Sequence, residues 1–462
     1  MKTYGLRLVW LFLFAYSAPL SSQFTANYWS HQYGSKGLLL NGAVIASSDE
    51  ETSIFYNPAG MNIKDELGIS VSLITPTISL LQSENVFGTG TSLSDSNLGF
   101  SPGLVAFMFS PKNSKKLTIG ITAFSRFKSD FRLKDREVTA LEANTDFLLL
   151  GDVDFGTKVS ESWYGIGFSY KVSNILSLGV TQFVTWRSET FTSNLKKEVF
   201  RADDPSEFVL SWRSDFEYKI SARGGLLTKI GLQGSLGPLK YGLTFTSSTY
   251  AIINDKAEYE FEEQRIGEIT RSSLSNAKTV ELLEYKSPIS VGFGLELKLK
   301  SRTISISTEY FEEIEPYVLL SDSDFAVGGI PSDAELVTKS YGKSSDRVIN
   351  VALGLQSYRS EKITYFYGFR TDYSPSTLVD LGEDIIFLSK TPDVYHVSAG
   401  VSYNYSKSKF SLGLDYGYGK NEGGKQLIDL ADIAIDNIFN ISGPNNVSTS
   451  SHQITLFITY DL

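Results

Sequence analysis

The sequence lacks several residues on which whole classes of protein depend. It has no cysteine, which excludes disulfide scaffolds, thiolate metal sites and cysteine nucleophiles. It has only three histidines, His31, His396 and His452, and none stands in a recognisable arrangement with a nucleophile. We therefore predict no enzyme, no metal site and no cofactor. The net charge of −10 leaves no basic excess to neutralise phosphates, so we predict no nucleic-acid partner.

Long hydrophobic runs are also missing after the N-terminus. Lys2 and Arg7 precede a short apolar stretch, and small residues follow from Ala18 to Ser22. This pattern is typical of a secretory signal, and the stretch is shorter than the ~20 residues that a helix needs to cross a bilayer. We predict a signal peptide over residues 1–22. The exported chain is then a secreted protein or an outer-membrane barrel.

The remaining sequence alternates between apolar and polar residues with a period of two. The clearest stretches are Ile289–Leu299, Val397–Tyr405 and Phe410–Tyr418, where Gly, Ser and charged residues separate apolar ones. Such a period predicts strands with one apolar and one polar face. A soluble sandwich would turn its apolar faces inward, whereas a membrane barrel turns them toward lipid. The signal peptide and the long strands favour an all-β fold, a transmembrane antiparallel β-barrel over residues 67–462.

The number of strands agrees with a barrel. We predict fourteen, at residues 67–83, 99–109, 117–131, 158–172, 175–192, 209–233, 239–250, 285–299, 303–319, 347–357, 362–373, 393–405, 410–420 and 450–462. Short connections alternate with long ones, among them residues 84–98, 132–157, 193–208 and 251–284. An even strand number, short periplasmic turns and long external loops are typical of outer-membrane barrels.

Residues 23–66 do not follow the strand pattern. They contain the apolar runs Leu38–Leu40 and Ala43–Ala46, and the turn signal Asn57–Gly60. A disordered leader would expose this apolar content to water. Because a fourteen-strand lumen is too wide for wall side chains to fill, we predict that residues 23–66 form a plug inside it. We call this segment the hatch.

Two blocks of sequence resemble the FadL/TodX family of outer-membrane transporters for long-chain fatty acids and other hydrophobic compounds. Gly42–Ala46 followed by Tyr56–Met61 is similar to the family's hatch signature, and Phe100–Ala106 with Leu117–Ile121 is similar to its second and third strands. The resemblance implies a hatch-plugged barrel that captures an amphiphile outside and releases it through a wall opening at a kink in the third strand. By position, the hatch or gating residues would be Asn57, Pro58, Ala59 and Gly60. Gly120 would lie in the third strand, although Ile121–Phe127 contains no proline or further glycine.

A long external loop offers a candidate capture surface. Its apolar residues recur at helical spacing: Leu427, Leu430, Ile433, Ile435, Ile438 and Phe439. The alternative is a helix that only packs over the barrel mouth.

The predicted function is passive diffusion of hydrophobic compounds, such as long-chain fatty acids, across the outer membrane of a Gram-negative bacterium. Its expected partners are the hydrophobic substrate, outer-membrane lipid and, during biogenesis, the barrel-assembly machinery. The main alternative is a secretion-associated or structural barrel that binds a protein partner. A barrel hydrolase that uses His396 or His452, and a plain diffusion porin, are weaker alternatives.

Overall fold

The computed structural model describes most of the chain after the signal region. The described residues are 27–47, 52–61, 67–71, 75–86, 90, 92–101, 103–112, 114, 116–140, 146–204, 208–253, 256–266, 271–281, 285–321, 325–326, 336–337, 340–375, 392–405, 408–424 and 446–461. The predicted signal peptide and the candidate capture loop, Leu427 to Phe439, lie outside them.

Strands make up most of the described residues. The helices are α1 (Gly34–Leu39), α2 (Ser53–Tyr56) and a 3-10 turn (Pro58–Gly60). The strands are β1 (Leu67–Val71), β2 (Thr75–Glu84), β3 (Ser92–Ser101), β4 (Leu104–Phe109), β5 (Leu117–Ala140), β6 (Phe147–Ser173), β7 (Leu176–Arg201), β8 (Phe208–Leu236), β9 (Leu239–Thr246), β10 (Tyr250–Ala251), β11 (Lys256–Ile266), β12 (Arg271–Glu281), β13 (Ser290–Lys298), β14 (Arg302–Phe311), β15 (Ile314–Ser321), β16 (Phe325–Ala326), β17 (Leu336–Val337), β18 (Ser340–Ser345), β19 (Val348–Tyr358), β20 (Ile363–Asp372), β21 (Asp393–Tyr405), β22 (Ser408–Gly424) and β23 (Val447–Asp461). Among the described residues, no helix is long and apolar enough to cross a membrane.

The wall strands pair with their neighbours in chain order, and every pairing is antiparallel. The described wall consists of β1–β2, β3–β4, β5, β6, β7, β8, β9–β10, β13, β14, β19, β20, β21, β22 and β23. The ladder returns to its start where β2 pairs with β23, with Thr77 opposite Thr455 and Glu84 opposite Ser448. The predicted all-β barrel is therefore confirmed.

The two faces of the wall are the reverse of those in a soluble sandwich. On β22 the apolar side chains of Phe410, Leu412 and Leu414 are exposed, whereas Ser411 and Asp415 face inward and are buried. The other wall strands repeat this pattern, so an exposed apolar band surrounds the barrel. Apolar residues outside and polar ones inside are the arrangement of a barrel whose solvent is lipid.

Several predicted loops are strands. Within the predicted loops 132–157 and 193–208, β5 continues to Ala140, β6 begins at Phe147 and β7 continues to Arg201. The predicted loop 251–284 contains the hairpin β11–β12, which pairs along β8. Our predicted strand ends were wrong because the outward residues of these strands change from apolar to charged beyond the apolar band. Arg132 and Lys134 there face Asp154 across neighbouring strands, at 2.6 and 2.7 Å.

The described parts of the hatch, Asn27–Ser47 and Thr52–Met61, lie inside the barrel. The first part contains α1, which packs toward β20–β23, and the second contains the 3-10 turn, which packs on β6–β8. Tyr33, Leu39, Leu40, Ile54 and Met61 are fully buried. The interior is therefore filled by the hatch, as the width of a fourteen-strand lumen requires.

Candidate functional site

Asn57 ties together the two described parts of the hatch and the wall. Its Oδ1 accepts a hydrogen bond from the backbone N–H of Ala59 (3.1 Å), which caps the 3-10 turn. Its Nδ2 donates to the carbonyl of Ile45 (2.9 Å) and to that of Leu232 on β8 (3.1 Å). Pro58 follows as the first residue of the turn, where its fixed φ and missing N–H cost nothing. The predicted hatch residues Asn57–Gly60 are thus all buried against the wall.

Glycines in the wall allow the hatch backbone to come this close. A Cβ at Gly179 would overlap the backbone of Pro58 and Ala59, and one at Gly231 would overlap Asn57 Oδ1. A Cβ at Gly120 would come within 2.9 Å of Ile54 and 3.1 Å of Met61. Further wall glycines whose Cβ would crowd the hatch are Gly167, Gly242, Gly294, Gly354, Gly368 and Gly400. The sequence pattern places these glycines on the lumen face but does not reveal what they contact.

An aromatic cluster lies between the hatch and the strands β5–β7. Phe55 of the hatch has its ring centroid 5.2 Å from that of Tyr33 and 5.0 Å from that of Phe124 on β5. Trp163 and Phe183, whose centroids are 5.1 Å apart, extend the cluster along β6 and β7. These five buried rings pack into one continuous apolar cluster inside a lumen whose wall is otherwise mostly polar.

Two buried cations border this cluster. Lys229 of β8 is 6% exposed, and its Nζ lies 5.2 Å from the centroid of Phe55. The guanidinium of Arg126 lies 5.6 Å from the same centroid and 4.7 Å from that of Phe127, and it donates to the carbonyl of Tyr28. Within the described residues, neither cation has a carboxylate close enough for an ion pair.

A third lumen cation, Arg187, is neutralised. It forms ion pairs with Glu161 (2.7 Å) and Glu189 (3.0 Å), and its guanidinium stacks on Tyr285 at 4.5 Å. A cavity of about 20 Å³ beside this group has room for about one water molecule. Arg187 therefore has two carboxylate partners, whereas Lys229 and Arg126 have none within the described residues.

Four titratable side chains of the hatch are held in their uncharged forms. Burial lowers the pKa of His31 to about 3, and the guanidiniums of Arg126 and Arg370 lower it in the same direction. Burial raises the pKa of Tyr28 to about 12, and it also raises the pKa of Tyr33 and of Tyr56. All four groups are neutral at neutral pH, so they can be enclosed without a counterion.

The wall has a seam between its second and third strands. The β4–β5 pairing covers only Leu104–Phe109 against Ile119–Phe124. Above it, β3 pairs with β2 and β5 pairs with β6, and no pairing within the described residues joins β3 to β5. We call this unpaired stretch the seam.

The third strand is irregular beside the seam. Its register against β6 shifts between Ser125 and Phe127, which makes Arg126 a bulge residue. Tyr33 of the hatch donates its hydroxyl to the carbonyl of Ser125 at 2.6 Å. This bulge is not visible in the sequence, since Ile121–Phe127 contains neither proline nor a further glycine. A bulge needs only one extra residue.

The remaining histidines contact residues other than a nucleophile. His396 faces inward, with Nδ1 2.8 Å from Asp415 Oδ2, and His452 Nδ1 lies 2.9 Å from the hydroxyl of Tyr416. Among the described residues, no group of three or more His, Asp or Glu could hold a metal ion.

Comparison with known proteins identifies the fold. No protein-family model matches the sequence, and no curated protein matches it significantly. Among solved structures, a FadL homologue of Pseudomonas aeruginosa has a TM-score of 0.60 and 12% identity, with 94% of this chain and 99% of that chain covered. The toluene transporter TodX of Pseudomonas putida has a TM-score of 0.57 and 12% identity, covering 96% and 98%. The toluene transporter TbuX of Ralstonia pickettii has a TM-score of 0.53 and 11% identity, covering 95% and 99%. The chain therefore has the fold of the FadL and TodX outer-membrane transporters.

Proposed function

We propose that this protein is an outer-membrane channel through which hydrophobic compounds diffuse passively, gated by its hatch. The observation that carries the proposal is the aromatic cluster, which lies between the hatch and the bulge beside the seam. A hydrophobic ligand gains ~25 cal/mol for each Å² of apolar surface that leaves water. The wall rings of this cluster would offer such a surface once the hatch moves its own two rings away. The exposed apolar band and the predicted signal peptide support the outer-membrane location.

The polarity of the lumen favours a lateral exit. At the end of the barrel where short turns join the strands, the buried inward side chains are mostly polar. They include Thr303, Ser305, Ser402, Ser411 and Thr459, together with Gln233, Glu296 and Gln356. A hydrocarbon chain gains nothing from leaving the aromatic cluster for this polar end. The seam instead borders the exposed apolar band, and we propose that the chain leaves there into lipid.

The charges at Phe55 favour a substrate with an acidic head group. Burying an unpaired cation is costly, and a ligand carboxylate next to Lys229 and Arg126 would remove that cost. Long-chain fatty acids combine such a head with a tail for the aromatic cluster. The toluene transporters TodX and TbuX have the same fold, so the fold alone does not distinguish the two classes.

Substrate capture outside the barrel is assigned to the candidate loop. We propose that Leu427, Leu430, Ile433, Ile435, Ile438 and Phe439 take up the amphiphile before it reaches the hatch.

A reversible cross-link tests whether the hatch must move. A Cβ at Gly354 would lie 3.2 Å from the Cβ of Ala43, close to the ~3.8 Å that a disulfide requires. Because the chain has no other cysteine, the pair Ala43→Cys/Gly354→Cys can form only this intramolecular bond. We expect uptake of a radiolabelled long-chain fatty acid to stop in the oxidised protein and to return on reduction.

Each single-cysteine variant serves as the control, since oxidation cannot lock its hatch. Unchanged uptake by a fully cross-linked barrel would contradict a gating hatch.

A further inference from the structure

A buried polar cluster joins the hatch to the wall strands β20, β21 and β22. At its centre is Asp415 on β22, whose Oδ1 accepts a hydrogen bond from Asn41 Nδ2 of the hatch at 2.9 Å. Its Oδ2 lies 2.8 Å from His396 Nδ1 on β21 and 3.8 Å from Arg370 Nη1 on β20. Asn41, His396 and Arg370 are each no more than 3% exposed. We call these four residues the clamp.

The clamp also reaches the start of the hatch. Arg370 donates to Asn41 Oδ1 and, at 3.3 Å, to the carbonyl of Ser30. Two residues along β20, Asp372 accepts a hydrogen bond from the backbone N–H of Trp29 at 2.9 Å. The hatch is thus held at residues 29–30 and again at Asn41 by one patch of wall.

The two sides of the clamp are not equally fixed. Arg370 is opposite His396, and Asp415 is opposite Ser398, in the ladders that join β20, β21 and β22. Asn41 lies outside any ladder and has a left-handed backbone, with φ of 54°. If one of the buried charges is removed, we expect the hatch to move and the wall to stay. The wall strands are held by backbone hydrogen bonds on both edges, and Asn41 is not.

Asp415 supplies the only carboxylate among the four clamp residues, 2.8 Å from His396 Nδ1 and 3.8 Å from Arg370 Nη1. Removing one partner of a buried ion pair leaves the other charge uncompensated. We therefore expect the contact between hatch and wall to open, so that water reaches the remaining charge. We infer that Asp415 is a positioning residue that holds the hatch across the lumen and closes the barrel to small water-soluble solutes. This inference rests on the hatch as the barrier in the proposed function, and it does not depend on the substrate being hydrophobic.

The test measures leakage of a polar solute rather than uptake of a lipid. Purified Asp415→Asn is placed in liposomes loaded with a small uncharged sugar, and efflux is compared with that of the unmodified protein. We expect efflux to rise about tenfold, since a tenfold change in the open population needs only a modest free-energy shift. Glu422→Gln on the same strand removes an exposed carboxylate that pairs with Lys420, and it should leave efflux unchanged.

Cross-link rescue separates hatch displacement from damage to the wall. In Asp415→Asn that also carries Ala43→Cys and Gly354→Cys, oxidation should restore low efflux and reduction should raise it again. Efflux that stays high in the oxidised protein, or that never rises in folded Asp415→Asn, would overturn the inference.

A second variant covers the case in which Asp415→Asn does not fold. Asn41→Ala leaves the charges of the wall intact and removes the contact from the hatch side, so it should also raise efflux. Fatty-acid uptake measured in the same liposomes judges the proposed function separately, because a leaky barrel can still bind and pass a hydrophobic ligand.

Discussion

At the scale of single residues, Lys229 is the side chain that distinguishes an acidic substrate from a neutral hydrocarbon. It lies beside Phe55 with no ion-pair partner among the described residues, whereas Arg187 nearby is held by two glutamates. A carboxylate that reaches Lys229 would gain a charge-assisted hydrogen bond, and a hydrocarbon would gain nothing from the ammonium group.

Replacing Lys229 by methionine should therefore weaken binding of fatty acids selectively. A hydrogen bond to a charged group contributes ~1.5–3 kcal/mol, so we expect the Kd for a fatty-acid anion to rise at least tenfold. The Kd for a neutral alkane of the same length should not rise. Tryptophan fluorescence titration checks both ligands, and Lys420→Met, at an exposed lysine, is the control. An equal loss for both ligands would show that Lys229 only supports packing.

His31 makes closure of the hatch depend on pH. Its pKa is about 3 in the folded protein and about 6.5 when exposed, so its contribution to docking is complete above pH 6.5 and is lost as the pH falls toward 3. At pH 4.5 the loss is about 3 kcal/mol. We expect amide exchange in residues 27–47 to accelerate between pH 7 and pH 4.5, after correction for the intrinsic rate. His31→Gln should flatten this dependence and His452→Gln should not, because His452 lies on the outer face.

At the scale of elements, the sequence predicts the alternation but not the length of strands. Phe410–Tyr418 reveals β22 because its outward residues are apolar and its inward ones small or charged. Where β5 to β8 continue above this band, their outward residues are charged and follow the pattern of a solvated loop. Ion pairs such as Arg132–Asp154 across strands are invisible in a single segment.

The candidate site was predicted only in part for the same reason. Asn57–Gly60 is a local turn signal, so its place in the hatch could be proposed from the sequence. The wall glycines that face the hatch, the clamp and the two cations at Phe55 depend on residues that are far apart in the chain. His396 and Asp415 come together only because β21 and β22 are paired.

The bulge at Arg126 is the element that we expect to keep the seam open. Deleting Arg126 removes the extra residue while Phe124 and Phe127 keep their inward orientation, since the alternation across Ser125 is preserved. We expect this deletion to straighten β5 against β6 and to reduce fatty-acid uptake several-fold. Arg126→Leu retains the bulge and loses the contact with Tyr28, so it controls for that contact. Equal uptake by the two variants would argue against an exit at the seam.

At the scale of the whole molecule, the β-structure has two parts, a closed barrel and an outer sheet, and different strand pairings hold each part together. The closed ladder does not pass through the hairpin β11–β12, because β9 pairs directly with β13, with Thr246 opposite Ser290. The hairpin instead extends a sheet formed by the outer halves of β5 to β8. The inner face of that sheet carries buried apolar residues, including Val153, Phe191 and Trp212.

Replacing residues 254–284 by a short glycine–serine linker should therefore leave the barrel intact and slow the capture of substrate. The closing pairings, from β13 back to β9 and from β23 to β2, remain, so the heat-sensitive shift in electrophoretic mobility that marks a folded barrel should persist. The outer half of β8 loses its partner along Ser211–Ser221, and the apolar inner face loses one side of its enclosure. We expect fatty-acid uptake to slow several-fold at low substrate concentration and to recover at saturation, because capture is affected and passage is not. A uniform loss at every concentration would place the hairpin in the path itself, and loss of the folded form would show that barrel and outer sheet are one folding unit.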